Sequence, residues 1–184
     1  MKNVHTPTLT DQDLCLRPPI PTDVDGRIAL GISDDIVRMF GGAPAGMRTI
    51  GRAQAEGWLE HLHSQPVSWV MTLAERVIGS LFFHTYWQSE ARCSVAVGIL
   101  DEALLGQGIG TRAMRLALGW GIDTLGLHRI ELRVIDYNTR AQACYAKLGF
   151  VEEGRARQAA LVDGQRHDDV IMGLLAPEFV RAGP

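Results

Sequence analysis

Ile99-Leu-Asp-Glu-Ala-Leu-Leu-Gly-Gln-Gly-Ile-Gly110 is the stretch on which the fold turns. Before it, Ser94 to Leu100 has the apolar character of a strand, and after it Thr111 to Leu125 has the periodicity of a helix. Strand, glycine-rich turn and helix together suit a phosphate. Glycines let successive backbone N–H groups point the same way. The helix adds unpaired N–H groups and the positive end of its dipole. A pyrophosphate can be held there without Lys or Arg. A P-loop would end in Gly-Lys-Ser or Gly-Lys-Thr, but Gly110 is followed by Thr111 and Arg112. A dinucleotide site would show Gly-x-Gly-x-x-Gly on a tight turn. Here Gly106, Gly108 and Gly110 give Gly-x-Gly-x-Gly, with Asp101 to Leu105 intervening. Glu131 lies at about the spacing of a ribose-binding acid, so that alternative stays open. So does a glycine-rich linker with no ligand.

Outward from this stretch the chain reads as one domain over residues 1–184, with residues 1–13 a polar, loose N-terminal segment. The 184 residues are 46% hydrophobic and 21% charged, as in a globular protein with a full core. A net charge of −3 gives no electrostatic footprint for nucleic acid. No apolar run approaches bilayer length and no secretory signal opens the chain, so a cytoplasmic protein is expected. Cys15, Cys93 and Cys144 are widely spaced and suggest packed thiols rather than a disulfide framework or a zinc site.

Leu14 to Arg17 predicts a short strand stopped by Pro18 and Pro19. Helices are expected from Thr22 or Asp23 to Gly31, over Asp34 to Phe40, and over Thr49 to Ser64. The period then changes to that of consecutive strands, Ser68 to Leu73, Val77 to Tyr86 and Ala91 to Leu100, with turns at Glu75-Arg76 and Gln88-Ser89-Glu90. Met114, Ala117, Leu118, Ile122 and Leu125 share one face of the next helix. Arg129 to Ile135 is a strand. Asn138 or Thr139 caps a helix ending at Gly149, and a hairpin turning at Asp163-Gly164 closes the chain. This order predicts an α+β fold, a mostly antiparallel sheet of six or seven strands flanked by helices.

Gly106-Gln-Gly-Ile-Gly followed by a helix, Leu127-His-Arg-Ile-Glu-Leu-Arg-Val, Asn138, and Tyr145-Ala-Lys-Leu-Gly-Phe-Val-Glu-Glu-Gly come in that order. The series resembles the GCN5-related N-acetyltransferase (GNAT) superfamily, and within it the branch that acetylates ribosomal-protein N-termini, polyamines and some antibiotics. The family loop Arg/Gln-x-x-Gly-x-Gly/Ala falls on Leu105 to Gly110, with Gly108 and Gly110 in the small positions and Leu105 departing from Arg or Gln. The resemblance implies a mixed sheet in which the strands ending at Leu100 and beginning at Arg129 splay to admit a pantetheine arm. It implies acetyl-coenzyme A as co-substrate, with no metal. Its contacts would come from Ile99, Leu100, Leu105, Gly106, Gln107, Gly108, Ile109, Gly110, Thr111 and Asn138. Leu105 would act chiefly through its backbone N–H, and Asn138 has an independent role as a helix cap.

Amide formation from a thioester and an amine needs a held cofactor, a neutral amine, a stabilised oxyanion and support for the leaving thiolate. The backbone of Val97 to Leu100 can pair with the pantetheine amides and present an N–H to the oxyanion. The resemblance places Tyr145 at the leaving thiolate, although its helical spacing also fits a core residue. An amine of pKa near ~10 is about one part in a thousand neutral at pH 7, so a base or a water must take its proton. Glu131 is the first candidate, with pairing to Arg129 or Arg133 as its structural alternative; His84 and Glu90 follow. His128 has a structural position before a strand. His167-Asp168-Asp169 alternates between sheet faces and makes a poor metal chelate.

The function expected is acetyl transfer to a primary amine by direct attack in a ternary complex. The acceptor would be a protein N-terminus, a polyamine or an aminated small molecule. A non-catalytic acyl-coenzyme A binder and a nucleotide-dependent oxidoreductase are the alternatives, the latter requiring a parallel sheet. The apolar C-terminal strands also suit a homodimer interface.

Overall fold

The computed structural model describes residues 4–44, 46 and 49–181. Three strands, β3 (Val67–Leu73), β4 (Arg76–Trp87) and β5 (Arg92–Ile99), run as the antiparallel meander that the alternating sequence predicts. Ala74 and Glu75 take positive φ (46° and 66°) in the first hairpin turn, the conformation that matches strand twist in a two-residue loop. β2 (Leu14–Arg17) joins the outer edge of β3. On the other side follow β6 (Arg129–Ile135) and the long hairpin of β7 (Val151–Val162) and β8 (Gln165–Leu175).

The sheet has eight strands in the order β1-β2-β3-β4-β5-β6-β8-β7, one more than the upper expectation. The addition is β1 (Leu9–Asp11), inside the segment expected to be loose over residues 1–13. Three residues are too few to show a period. β1 is fixed from outside: Arg112 donates through Nε to Asp11 Oδ2 (2.7 Å) and through Nη2 to the Asp11 carbonyl (2.5 Å). Trp69 Nε1 donates to the Pro7 carbonyl (2.8 Å).

Every pairing is antiparallel except β5 with β6. That sheet removes the oxidoreductase alternative, whose fold is built on parallel strands. The parallel pair is bridged by α4 (Ile109–Leu125), as a crossover requires. α4 starts two residues before Thr111, because Gly108 completes the turn in a left-handed conformation and frees Ile109 and Gly110 for the helix. Its buried face is Ile109, Ala113, Met114, Ala117, Leu118 and Gly121. With Tyr145 and Leu148 of the α5 (Thr139–Ala146) region, it covers a core containing Trp69, Phe83, Val95 and Leu132. α1 (Asp23–Leu30) and α3 (Arg52–His63) pack together around Val24, Ala55 and Leu59, and Leu62 of α3 meets Val70 and Val77 of the sheet. α2 (Asp34–Met39) follows α1 in the chain. Asp23, 1% exposed, accepts two bonds from Arg17 (2.5 and 2.9 Å) and one from the Ile20 N–H (2.8 Å). The start of α1 is thereby locked to the end of β2.

Candidate active site

β5 and β6 are paired only at Arg92–Arg129, Cys93–Ile130 and Ser94–Glu131. Beyond Ser94 they separate, while β5 remains bonded to β4 as far as Ile99. The Leu100 N–H donates to the Ile78 carbonyl (2.8 Å), toward β4. Alternation therefore turns the N–H and C=O groups of Ile99 and Val97 to the open edge. The gap is one cavity of about 770 Å³, within the range of small-molecule sites. Its wall joins β5, the Leu105–Thr111 loop, β6 and α5.

At the loop end, Gly106 and Gly108 both have φ of 78°, and a Cβ on either would meet nothing within 4 Å. Glycine is required there by backbone conformation, and the space in front is open. The first bond of α4 runs from the Arg112 N–H to the Gly108 carbonyl (3.0 Å). The N–H groups of Ile109, Gly110 and Thr111 are consequently without helical partners at the positive end of a 17-residue helix. Gly110 needs no unusual φ, and its Cβ would touch only Ile99 Cγ1 at 4.0 Å. A cradle of backbone donors with open ground before it fits a pyrophosphate.

The individual assignments fare differently. Ile99, Leu105, Gly106, Gly108, Ile109, Gly110, Thr111 and Asn138 line the cavity, whereas Leu100 and Gln107 do not. Gln107 folds back so that Nε2 donates to the Ala103 carbonyl (2.6 Å). Leu100 lines a smaller neighbouring cavity. The Leu105 N–H, expected to face the ligand, donates to the Glu102 carbonyl (3.1 Å), because a 3-10 turn over Glu102–Leu104 precedes it. Thr111 Oγ1 lies 3.1 Å from Cys144 Sγ, linking the first turn of α4 to α5. The Asn138 side chain is committed to structure: Oδ1 accepts from the Ala141 N–H (3.1 Å), and Nδ2 donates to the Met39 carbonyl (3.2 Å).

Tyr145 is 9% exposed and contributes to the same wall. Its ring centroid lies 5.9 Å from that of Phe150, so both expected roles, packing and facing the cavity, meet in one residue. Burial, and secondarily the Cys144 thiol, push its hydroxyl above the ordinary phenol pKa. Glu131 lies where β5 and β6 part. Its Oε1 accepts from Ser94 Oγ (3.3 Å) and its Oε2 from Arg129 Nη2 (3.2 Å). Arg129 is held mainly by two 2.6 Å bonds to Glu153. His84 lines the cavity near Glu131, and burial lowers its pKa against the opposing pull of the Glu131 charge. Glu90 instead pairs with Arg92 in its turn (2.5 Å) and is not part of the wall.

His128 donates its backbone N–H to the Ala91 carbonyl (2.7 Å) at the start of β6, a structural position. His167 faces Asp136 (3.3 Å), while Asp168 accepts from the Gln158 N–H (2.8 Å). Among the described residues no group of three or more His, Cys, Asp or Glu could hold a metal ion. Nor is any helix among them long and apolar enough to cross a membrane.

Sequence reasoning missed the contribution of α2 and the residue after it. Ile36, Met39 and Phe40 form part of the wall. Tyr137 Oη donates to the Arg38 carbonyl (2.5 Å), and Arg38 Nε donates to Asp163 Oδ2 in the β7–β8 turn (2.8 Å). The Phe40 ring lies over Gly98, where a Cβ would stand 2.7 Å from Cζ. An isolated glycine inside an apolar strand was the available signal of such a close approach. Arg140 and Lys147 of the α5 region were missed as well.

Residues 13–151 match the family model described as acetyltransferase (GNAT) domain. The chain is 31% identical over 104 residues to the probable N-acetyltransferase YjcK of Bacillus subtilis, covering 56% of this chain and 58% of that protein. It is 34% identical over 74 residues to the [ribosomal protein uS5]-alanine N-acetyltransferase of Escherichia coli, covering 40% and 38%. The chain thus spans about half the length of the curated relatives it matches. The structure of spermidine N-acetyltransferase from Vibrio cholerae in complex with CoA and spermine superposes with a TM-score of 0.75, at 20% identity, over 91% of this chain and 98% of that one. A model match across most of the sequence, on a sheet that splays beside a glycine-turned helix, shows that the chain belongs to the GCN5-related N-acetyltransferase superfamily.

Proposed function

We propose that this protein transfers an acetyl group from acetyl-coenzyme A to a primary amine, by direct attack with both substrates bound. One observation carries the reading: a single cavity joins the donor cradle at α4, the unpaired edge of β5, Tyr145 and Glu131. Two of the relatives named above are, by name, a ribosomal-protein alanine N-acetyltransferase and a spermidine N-acetyltransferase, both acting on amine nitrogen. The co-substrate supplies an activated acyl group and a thiol leaving group. The N–H groups of Ile109, Gly110 and Thr111 hold its phosphates. The Val97–Ile99 edge orients its arm as an added strand. An N–H of that edge meets negative charge developing on the acyl oxygen. Glu131, oriented by Ser94 and Arg129, takes the proton from the attacking amine directly or through water. Tyr145 gives a hydrogen bond to the departing sulfur.

The test is coenzyme A release with the purified protein, acetyl-coenzyme A and a panel of primary amines. Amine-dependent release is expected. Tight acetyl-coenzyme A binding without transfer to any amine would make the protein an acyl-coenzyme A binder instead. A thermal shift comparable with that of acetyl-coenzyme A on adding NAD alone would contradict the site assignment.

A further inference from the structure

Four charged side chains in the cavity take no part in the chemistry above: Arg140 and Lys147 of the α5 region, Arg133 of β6 and Asp169 of β8. Ile130, Leu132 and Val134 are buried, which leaves Arg129, Glu131 and Arg133 together on the opposite face of the strand. Across the ladder, Arg133 stands opposite Ile171, and Ile135 opposite Asp169. Asp169 is therefore a diagonal neighbour of Arg133, about 7–8 Å away at the backbone. The polar partners of this face end on either side of Arg133 and Asp169. Arg129 pairs with Glu131 and Glu153, and the His167 ring lies 3.3 Å from Asp136. Among the described residues, neither Arg133 nor Asp169 enters an ion pair. Around them the wall is apolar, formed by Phe40, Ile135 and Ile171.

Opposite charges that stand close without meeting, in a cavity with apolar walls, complement a ligand bearing both signs on adjacent atoms. An α-ammonium and α-carboxylate on one carbon are such a pair. Arg133 offers the planar, bidentate donor set that a carboxylate takes, and Asp169 the acceptor for the ammonium. Glu131 lies two residues from Arg133 along β6, about 7 Å away. A carbon chain of three or four methylenes spans that separation. It would deliver a second amine to the Glu131–Ser94 pair, at the closed end of the splay where β5 and β6 part.

We propose that the acceptor is an α,ω-diamino carboxylic acid of the ornithine–lysine type, clamped at its α-carbon by Arg133 and Asp169 and acetylated on its distal nitrogen. This rests on the acetyl-transfer reading and narrows its substrate class. The distal nitrogen forms the amide bond as the thioester C–S bond breaks. The proton lost from nitrogen passes to Glu131 or its water, and the sulfur leaves as the thiolate, hydrogen-bonded by Tyr145, and takes a proton from water. A linear polyamine has no carboxylate for Arg133, and it would bring a second positive charge against the guanidinium.

The test compares each amino acid with its decarboxylated twin, ornithine with putrescine and lysine with cadaverine, and includes spermidine. Ornithine or lysine should exceed its twin at least tenfold in kcat/KM, with the product acetylated at the distal nitrogen by mass fragmentation. Arg133→Gln should reduce that preference at least tenfold, whereas Asp169→Asn should lower kcat/KM for the amino acid and its twin alike, because both carry the ammonium that Asp169 would accept. Circular dichroism and melting confirm folding of the variants; Arg133→Gln decides alone if Asp169→Asn does not fold. The proposal is overturned by spermidine or the plain diamines being used as well as the amino acids, by a preference that survives Arg133→Gln, or by acetylation at the α-nitrogen. In each of those outcomes the acetyl-transfer reading stands. Absence of transfer to every amine overturns both.

Discussion

Tyr145 combines two demands that pull its chemistry apart. Packing against Phe150 buries the hydroxyl, and burial raises its pKa, so it remains protonated at every ordinary working pH. A thiol ionises near ~8.5 and a free phenol near ~10. A phenol pushed higher still is a poor source of a transferred proton and a dependable hydrogen-bond donor. Tyr145→Phe keeps the ring and removes that donor. Turnover with an accepted amine should fall about 10²-fold, the lower part of the range for a positioned acid. Acetyl-coenzyme A affinity should stay nearly constant, because the lost bond strengthens only as charge develops on sulfur. Wild-type kcat in the variant, with a lowered melting temperature, would return Tyr145 to packing alone. The wild-type rate should show no loss from this hydroxyl below pH 10. Glu131 is complementary: Glu131→Gln keeps a partner for Ser94 and Arg129 but cannot accept the proton. Its deficit in turnover should shrink as pH rises toward the amine pKa, where neutral amine is supplied by solvent. A deficit independent of pH would make Glu131 a positioning residue for Ser94 or Arg129.

At the scale of elements, the loop before α4 separates backbone need from ligand need. Gly108 begins α4 and Gly126 ends it, both in left-handed conformations (φ 78° and 69°), and neither would have a Cβ within 4 Å of another group. A non-glycine residue at either place costs about 1–2 kcal/mol in backbone strain. Gly108→Ala and Gly126→Ala should therefore lower stability by similar amounts. Only Gly108→Ala should weaken acetyl-coenzyme A binding, by tenfold or more by calorimetry, since its methyl group enters the ground before the free N–H groups. Equal affinity in both variants would make the loop a plain linker.

These elements also show what was legible in the sequence. The β3–β5 meander was readable because alternation and turn residues are local signals. Asn138 was readable as a cap for the same reason, and its Oδ1 does cap α5. β1 was not, because its three residues are held by Arg112, distant in sequence. Nor was the pairing of Phe40 with Gly98, since a ring over a glycine is a tertiary event of which the strand shows only the missing side chain. The splay of β5 from β6 came from the family resemblance, because a strand does not record where its neighbour leaves it.

The whole molecule is divided by its sheet. α4 and α5 cover one face, and α1 and α3 hold separate apolar clusters with the other. The cavity opens where the central ladder parts. Beneath that parting, Cys93 is 1% exposed, and burial, assisted by the Glu131 charge, pushes its thiol up to about 12. Burial also raises Cys144 and Tyr145 on the α5 side. An unfolded thiol loses its proton near ~8.5, while the folded Cys93 keeps its proton until about 12. In that window the native state binds more protons than the unfolded state, so stability falls as pH rises. Full stability on this account is present below the unfolded pKa, and the loss begins near pH 9. The urea midpoint should be unchanged from pH 7 to 8 and should drop steadily from pH 9 to 11. Cys93→Ala should be less stable at pH 7, because it leaves a small void in the core. Its midpoint should nonetheless decline less steeply with pH than that of the wild type, because the titrating group is gone. Parallel declines in the two proteins would show that Cys93 has no share in the alkaline loss. The slope is the informative quantity, since a cavity lowers stability at every pH and a buried thiol lowers it only where the unfolded chain can ionise.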